Sequence, residues 1–502
     1  MKGKTLGFLR LTGILLRSAP FALDVVMEKS RQNPRPGFIQ ACLRSMDGLF
    51  RALFPDASAA RPHRLLRLLI QLGPTFIKIG QAMANRPDLV PLSYMHELES
   101  LQDRVPPFAT WRAKRILRKE LKRKGKTLSV FTVFPKTSIA AGSLGQVYEC
   151  FLDDGTRVAV KIQRPGIDKK IARDIEALRI LARYAASHTG IGMGVNWDDV
   201  VEEFADTIRM ELDFGREMEN AEKFRDNFKA WKDIYVPIFY PEYCTKKVLV
   251  MEFIDGLKLN DLPALSAADK DPMDGVRIVT RSYLKQLIQD GFFHADPHPG
   301  NLRLLEDGRV AFFDFGMAGS IDDEQKSMVL DLLIHVAEQD IHAIVQDLAN
   351  LGFLRTGHDF SAFQPAIEEV FRHYLGETER DRIQIHEIVY AMSEIVYRYP
   401  FTIPTRFTYI LRALLTLEGI GLSITPAFSF FRFARAYALD YFFLSQMGIL
   451  AKKLLRGLIG SADLKDGWDK TKKFSRMLWN YVTNKNVLNL HLEGPEDPSE
   501  KQ

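Results

Sequence analysis

Hydrophobic and polar positions divide this 502-residue chain into stretches of different period. Residues 1–60 read as amphipathic helices broken near Pro34 and Pro36. Residues 61–126 continue as helix, pass through a loop rich in proline at Pro87, Pro91, Pro106 and Pro107, and end in a basic helix. From Leu128 the pattern changes to short apolar runs punctuated by Gly and Asp, as in an antiparallel sheet. Gln146–Leu152 and Arg157–Ile162 flank the turn Asp153-Asp154-Gly155, a hairpin signal. Asp199–Phe228 has a helical period, with Gly215 an unfavourable interior position costing about 1 kcal/mol. Val248–Ile254 is an unbroken apolar run closed by Asp255-Gly256 and reads as a buried strand. From Leu257 to about Leu444 the pattern is mostly amphipathic helix, interrupted by a strand–turn–strand around 302–313. The polar tail after Leu492 reads as disordered. A small sheet followed by a larger helical region predicts an α+β pair of lobes with a cleft between them.

Composition narrows the class. Hydrophobic residues make up 46% and charged residues 26%, ordinary globular usage, which excludes a disordered chain or a disulfide miniprotein. At roughly 100–200 residues per domain the length predicts about three folding units. The three cysteines, Cys42, Cys150 and Cys244, are too sparse for a disulfide framework or a zinc site and fit a reducing compartment. No run approaches about 18 consecutive apolar residues, which argues against a spanning helix.

The net charge of +5 is unevenly placed. Residues 1–75 hold 12 Lys/Arg against 4 Asp/Glu, and Trp111–Lys126 holds nine basic residues and one acidic. Near the N-terminus, Leu6, Phe8, Leu9, Leu11, Ile14, Leu15 and Leu16 mix with Lys2, Lys4, Arg10 and Arg17. That mixture suits a helix lying in an anionic membrane interface. A helix docked on the protein's own core is the plainer alternative, and the Trp111–Lys126 cluster fits a solvated helix face. Nothing in the spacing points to nucleic acid.

The chemistry concentrates in His294-Ala-Asp296-Pro-His298-Pro-Gly-Asn301, followed after an apolar strand by Phe313-Asp314-Phe315-Gly316. Phosphoryl transfer uses such an ordered set: a carboxylate to orient or deprotonate the nucleophile, then an amide and a second carboxylate as hard oxygen ligands for Mg²⁺. His294 and His298 could be read as metal ligands, but Pro297 and Pro299 prevent a helix from presenting both on one face. Lys161, in Val158-Ala-Val-Lys161 after the hairpin, could reach nucleotide phosphates, with Glu211, Asp213 or Glu217 as its carboxylate partner. The small-residue turn Ala140-Ala141-Gly142-Ser143 would let backbone approach a phosphate. Lys78-Ile-Gly80-Gln81 says nothing by spacing alone.

Taken together and in this order, these elements resemble the UbiB/ADCK (AarF-like) family of atypical kinase-like proteins over roughly residues 60–430. Lys78, Gly80 and Gln81 match the family's KxGQ mark, and Ala140–Ser143 match the Ala-rich loop. Glu211 and Asp213 match its ExD element, and Glu217 matches the helix glutamate that pairs with the strand lysine, Lys161. Glu252 lies in the adenine-binding segment. Asp296 and Asn301 match the catalytic-loop pair, and Asp314 the Mg²⁺ aspartate. Arg412 and Leu417-Glu418-Gly419 are similar to the family's C-terminal region.

The resemblance implies a protein-kinase-like two-lobed fold with a small β-rich N lobe, a helical C lobe and an N-terminal helical KxGQ extension. The expected divisions are 1–60 basic amphipathic helices, 61–127 the KxGQ extension, 128–256 the N lobe, 257–445 the C lobe, and 446–502 C-terminal amphipathic helices and tail. It implies ATP and Mg²⁺ as cofactors. Asp296, Lys161 and Glu217 would be catalytic, and Asn301 and Asp314 would hold the metal. Ala140, Ala141, Gly142, Ser143, Lys161, Glu252, Asn301 and Asp314 would bind the nucleotide, and Lys78, Gly80, Gln81, Glu211 and Asp213 would form a gate, with Lys78 paired to Glu211 or Asp213.

The implied function is an ATPase or a small-molecule or lipid kinase supporting isoprenoid-quinone biosynthesis or lipid homeostasis. Membrane lipids, quinone precursors, quinone-biosynthesis proteins and a second copy in a homodimer are the implied partners. The implied location is peripheral, on the cytoplasmic face of a membrane or the matrix or stroma side in an organelle. A nucleotide-sensing membrane scaffold (a pseudokinase) is the alternative. An aminoglycoside- or choline-kinase-like phosphotransferase is disfavoured by the KxGQ and Ala-rich elements. Two departures stand out. Gly142 replaces the usual third alanine, and C-terminal transmembrane helices are not seen.

Overall fold

The fold is given by a computed structural model. It describes residues 61–353, apart from 85, 87–89, 91, 104–105, 189–196 and 339, together with 404–426 and a few single positions elsewhere. The expected N-terminal helices, the C-terminal helices and tail, and Cys42 lie outside the described residues.

Helices α1 (Arg61–Leu72), α2 (Pro74–Met83) and α3 (Leu92–Glu99) open the described chain, and the basic helix α4 (Thr110–Arg123) follows. Strands β1 (Phe131–Val133), β2 (Ala140–Ala141), β3 (Gly145–Leu152) and β4 (Arg157–Gln163) come next. Three helices then appear: α5 (Ile167–His188), α6 (Trp197–Glu211) and α7 (Phe214–Asn227). After β5 (Ile234–Tyr235) and β6 (Val248–Glu252) the chain enters the helical lobe through α8 (Leu262–Ala267) and α9 (Pro272–Lys285). Short strands β7 (Phe292–His294), β8 (Leu302–Leu304), β9 (Val310–Phe312) and β10 (Ala318–Ser320) precede α10 (Asp323–Glu338) and α11 (Ile341–Asn350). Helix α12 (Thr405–Ile424) completes the described lobe.

The expected hairpin is β3–β4, with Val147 opposite Lys161. The antiparallel sheet runs β1-β3-β4-β6, with β2 on β3. β4 is central and buried on both faces at Val158, Ala159, Val160 and Ile162, so its apolar residues do not alternate. Ala113, Leu117 and Leu121 of α4 are fully buried and belong to the same core as the sheet.

Where the periodicity predicts one helix over 199–228, there are two. Asp213 breaks the run: it has extended backbone and its side chain accepts from the Gly215 N–H at 3.1 Å, capping α7. Gly215 therefore sits in the first turn, where the interior-helix penalty expected for it does not apply. Helix α5 occupies a stretch to which the sequence pattern assigns no element.

A second, separate core joins α1–α3 to α5 and α6 through Leu66, Phe76, Ile79, Leu98, Ile171, Ile175 and Phe204. Thr75 Oγ1 donates to the buried Asp174 at 2.5 Å, and Arg86 meets both oxygens of Glu203 at 2.7 Å. These contacts fasten the helical extension to α5 and α6, the helices that lead into the cleft.

By average hydropathy, Phe407–Ile424 is long and apolar enough to cross a membrane. Arg412 and Glu418 interrupt it, so it holds no unbroken apolar run of that length. Half of that window is buried inside the protein, and Ala413, Leu417 and Ile420 belong to the main core. The apolar character of α12 is thereby accounted for by packing within the lobe.

Candidate active site in the cleft between the lobes

The site is built on Lys161 of β4. Its Nζ donates to Glu217 at 2.8 and 2.9 Å and lies 3.2 Å from Asp314 Oδ2. Glu217 is 2% exposed on α7, held there by the Asp213 cap one turn earlier. Burial by itself would lower the Lys161 pKa; the carboxylates of Asp314 and Glu217 more than offset it and hold the ammonium above its ordinary range. Burial pushes the Glu217 carboxyl up, against the pull of Lys161. Desolvation also acts to raise Asp314, but Lys161 and Lys78 prevail and bring it down to about 2. Asp314 is thus an anion at neutral pH. Its side chain is 47% open, so water still screens part of that field.

Asp314 has φ +50°, a left-handed backbone that side-chain-bearing residues adopt only at a cost. Its Oδ1 accepts from the Gly316 N–H at 3.2 Å, which locks the turn. Phe315, next in sequence, is fully buried between Phe224 of α7 and His294, with ring centroids 5.2 and 5.7 Å away. Asn220 Nδ2 donates to the Phe315 carbonyl at 2.8 Å, one helical turn after Glu217. Helix α7 therefore fixes both the lysine partner and the Asp314 turn.

The catalytic-loop segment is cross-braced to that turn. His294 is fully buried; its Nδ1 accepts from the Asp296 N–H at 3.1 Å and its Nε2 faces the Phe313 carbonyl at 3.3 Å. An accepting Nδ1 makes Nε2 the protonated nitrogen, and burial lowers the His294 pKa, favouring that neutral form. His298 Nδ1 accepts from Gly300 N–H and caps the turn leading to Asn301. Both histidines bond to backbone groups. Asn301 Nδ2 donates to the Asp296 carbonyl at 3.1 Å, and its own carbonyl accepts from the Phe313 N–H at 2.8 Å. Asp296 Oδ2 takes an ion pair from Arg412 Nη2 at 2.8 Å.

Around this centre, Lys78 pairs with Glu211 at 2.5 Å. Of the two partners expected for Lys78, Glu211 is the one found. Asp213 instead caps α7 and pairs with the exposed Lys246 at 2.9 Å. Gly80 is a packing position: a Cβ there would come within 2.4 Å of Leu101 and 2.8 Å of Leu69. Gln81 donates to the Leu101 carbonyl.

In the Ala-rich loop, Ala140 and Ala141 form β2, Ser143 is buried, and Gly142 closes a turn through its N–H to the Gly145 carbonyl at 2.9 Å. Arg164 holds the Gly142 carbonyl at 2.9 Å and the Pro106 carbonyl at 2.8 Å, tying the loop to the extension. Glu252 ends β6, and its carboxylate accepts from Tyr235 and from the Ile238 N–H. Its backbone N–H donates to the Ile238 carbonyl at 2.7 Å. A hollow of about 430 Å³ lies beside it, lined by Phe253–Asp255 and Leu305–Asp307, but none of Lys161, Asp296, Asn301 or Asp314 borders it.

The structure therefore brings Lys161, Glu217, Asp314, Asn301 and Asp296 into one linked cluster, with the Lys78–Glu211 pair beside it. The segment from residue 100 to 348 matches a family model described as the ABC1 atypical kinase-like domain. The chain belongs to the ABC1/UbiB family. Over 377 residues it is 38% identical to an uncharacterized protein of Synechocystis sp., covering 75% of this chain and 66% of that one. Over 420 residues it is 36% identical to "Protein ACTIVITY OF BC1 COMPLEX KINASE 1, chloroplastic" of Arabidopsis thaliana, covering 83% and 60%. The chain thus spans between 60% and 66% of the length of these two relatives. A Mycobacterium tuberculosis protein solved with erythromycin matches 76% of this chain and 99% of its own, at 20% identity and a TM-score of 0.46. The α+β, protein-kinase-like fold is that of an ABC1 domain.

Two contacts at the site were not expected from the motifs. Asn220 could have been found by its spacing, three residues after Glu217 and so on the same helix face. The Arg412–Asp296 pair joins positions 116 apart; Arg412 is marked by its likeness to the family's C-terminal region, but nothing in the spacing names its partner.

Proposed function

We propose that this protein is an ATP- and Mg²⁺-dependent phosphotransferase or ATPase working at a membrane surface in isoprenoid-quinone or lipid metabolism. The observation that carries it is the convergence of Lys161, Glu217 and Asp314 within 3.2 Å, linked through Asn301 to Asp296. The donor set fits Mg²⁺: Asp314 supplies a deprotonated carboxylate open to the cleft, and Asn301 has an amide oxygen that its Nδ2 bond leaves available. Two protein oxygens suit a cation that completes its shell with phosphate and water. When bound, Mg²⁺ would neutralise charge on the phosphate oxygens. Lys161, oriented by Glu217, would hold the nucleotide phosphates, and the 140–143 loop would lie over them. Asp296 would orient the acceptor, water or a small hydroxyl compound.

The Lys78–Glu211 pair borders a cavity of about 10 Å³ shared with Thr207, Met317 and Arg412. That is room for about one water, and none of Lys161, Asp296, Asn301 or Asp314 borders it. For the membrane role, support within the described residues comes from α4. Arg112, Arg115, Arg118, Lys119 and Lys122 are exposed, its one acid, Glu120, is buried against Arg123, and Trp111 is 60% exposed at its start. Exposed cations beside an amphipathic ring suit an anionic interface. Relatives named as chloroplastic proteins fit an organellar location.

The test is phosphate release from Mg-ATP, with and without phosphatidylglycerol vesicles containing a prenylated quinone precursor, for wild type and Asp314→Asn. The expected result is vesicle-stimulated turnover lost in Asp314→Asn. Equal rates in the two proteins would refute the reading.

A further inference from the structure

The loop Asp296-Pro-His-Pro-Gly-Asn301 contains no lysine or arginine, and His298 is spent on its own turn. The cation facing the Asp296 carboxylate comes instead from Arg412, far along the chain on α12 and outside the segment 100–348 that matches the ABC1 domain. Arg412 is 6% exposed. Its Nη2 binds Asp296 Oδ2 at 2.8 Å, and its Nη1 lies 3.7 Å from the Met317 sulfur, which pins the guanidinium from the side. The other carboxylate oxygen, Oδ1, is buried and has no hydrogen-bond partner among the described residues. The arrangement is asymmetric: one oxygen is clamped and the other is left with unused acceptor capacity.

We propose that Arg412 is a positioning residue for Asp296, a role that rests on the phosphotransfer reading above. By holding Oδ2 it fixes the rotation of the carboxylate relative to the acceptor hydroxyl or water. A carboxylate free to rotate would spend most of its time misaligned, and misplacement of about 1 Å costs roughly 100-fold in rate. Arg412 is itself located by the gate. Tyr409, one turn earlier on α12, shares a 2.7 Å hydrogen bond with Thr207 of α6, the helix whose last residue, Glu211, holds Lys78. Arg412, Thr207, Glu211 and Lys78 also line the same small cavity. A displacement of α6 therefore reaches the Asp296 carboxylate through α12.

The experiment compares wild type, Arg412→Met, Arg412→Lys, Asp296→Asn and the double variant Asp296→Asn/Arg412→Met, in Mg-ATP binding and in vesicle-stimulated phosphate release. Arg412→Met is expected to lower kcat about 100-fold, with ATP affinity within about twofold because Arg412 touches neither Lys161 nor Asp314. Arg412→Lys is expected to recover part of kcat, since only one N–H to Oδ2 contact must be replaced. In the Asp296→Asn background the Arg412→Met change should have no further effect on the residual rate, because its target is gone. The double variant removes both charges and guards against a buried, unpaired arginine or aspartate unfolding the lobe. Turnover in wild type with Arg412→Met at the wild-type kcat, or an equal loss in both backgrounds, would overturn the positioning role alone. No Asp314-dependent turnover in wild type would overturn the phosphotransfer reading and this role with it.

Discussion

Glu217→Gln and Asp314→Asn remove the two carboxylates of one lysine, and their effects should differ because their burial differs. With an effective dielectric of about 20, Coulomb's law gives roughly 6 kcal/mol for Lys161 with Glu217 at 2.8 Å and roughly 5 kcal/mol with Asp314 at 3.2 Å, before desolvation. Glu217 is 2% exposed, so its loss leaves a buried cation short of a partner. Removing one member of a buried pair costs about 3–5 kcal/mol. The lower end applies here because Asp314 still faces Lys161. Asp314 is 47% exposed and screened, and asparagine tolerates its positive φ, so Asp314→Asn should cost about 1 kcal/mol or less. At about 2–4 °C per kcal/mol, Glu217→Gln should lower Tm by roughly 6 °C or more, and Asp314→Asn by at most about 4 °C.

Ligand response should run the other way. Mg-ATP at about 100 times Kd adds about 2.7 kcal/mol to the native state. That stabilisation should persist, weakened, in Glu217→Gln and vanish in Asp314→Asn. Differential scanning fluorimetry with Mg-ATP, with ATP plus a chelator, and without nucleotide measures all of this. A wild-type Tm in Glu217→Gln, or a full Mg²⁺-dependent shift in Asp314→Asn, would refute the division of labour between the two carboxylates.

Three further outcomes are expected. Gly142→Ala should fold normally, since a Cβ there meets only the Gly145 carbonyl at 3.9 Å and the glycine lies outside the positive-φ set; a changed ratio of ATP to ADP affinity would then report backbone approach to phosphate, and identical affinities would end the idea. Lys78→Met should open the extension over the cleft and change ATP turnover by about tenfold, with Tm lowered by a few degrees; unchanged kinetics would leave Lys78 a purely structural contact. His335 lies 2.7 Å from Asp347, and that hydrogen bond raises the His335 pKa above its usual value. The pair's contribution is therefore complete below about pH 6.5 and is lost as pH rises through the folded pKa. The Tm gap between wild type and His335→Gln should be widest at pH 5.5 and narrow at pH 8.5, and a gap that widens with pH would contradict it.

Motifs read from the chain located Lys161, Asp296, Asn301, Asp314 and the hairpin because each depends on local pattern: a strand that must end in a turn, a carboxylate and an amide at fixed spacing. Asp213 was harder to read. A helical period runs through it unbroken, and only the backbone shows that its side chain satisfies a helix end and so divides α6 from α7. The candidates for Lys78 stayed open between Glu211 and Asp213 for the same reason.

Sequence alone carried the kinase-like class and the candidate residues, since residue type and local spacing survive without coordinates. Tertiary structure decided which charges meet. Pairing of Lys161 with Glu217, Lys78 with Glu211 and Asp296 with Arg412 joins positions 56, 133 and 116 apart, and separation along a chain carries no information about distance until packing fixes it. Burial was decided in the same way: Glu217 and Asp314 are both carboxylates beside one lysine, and only the fold buries the first and leaves the second open.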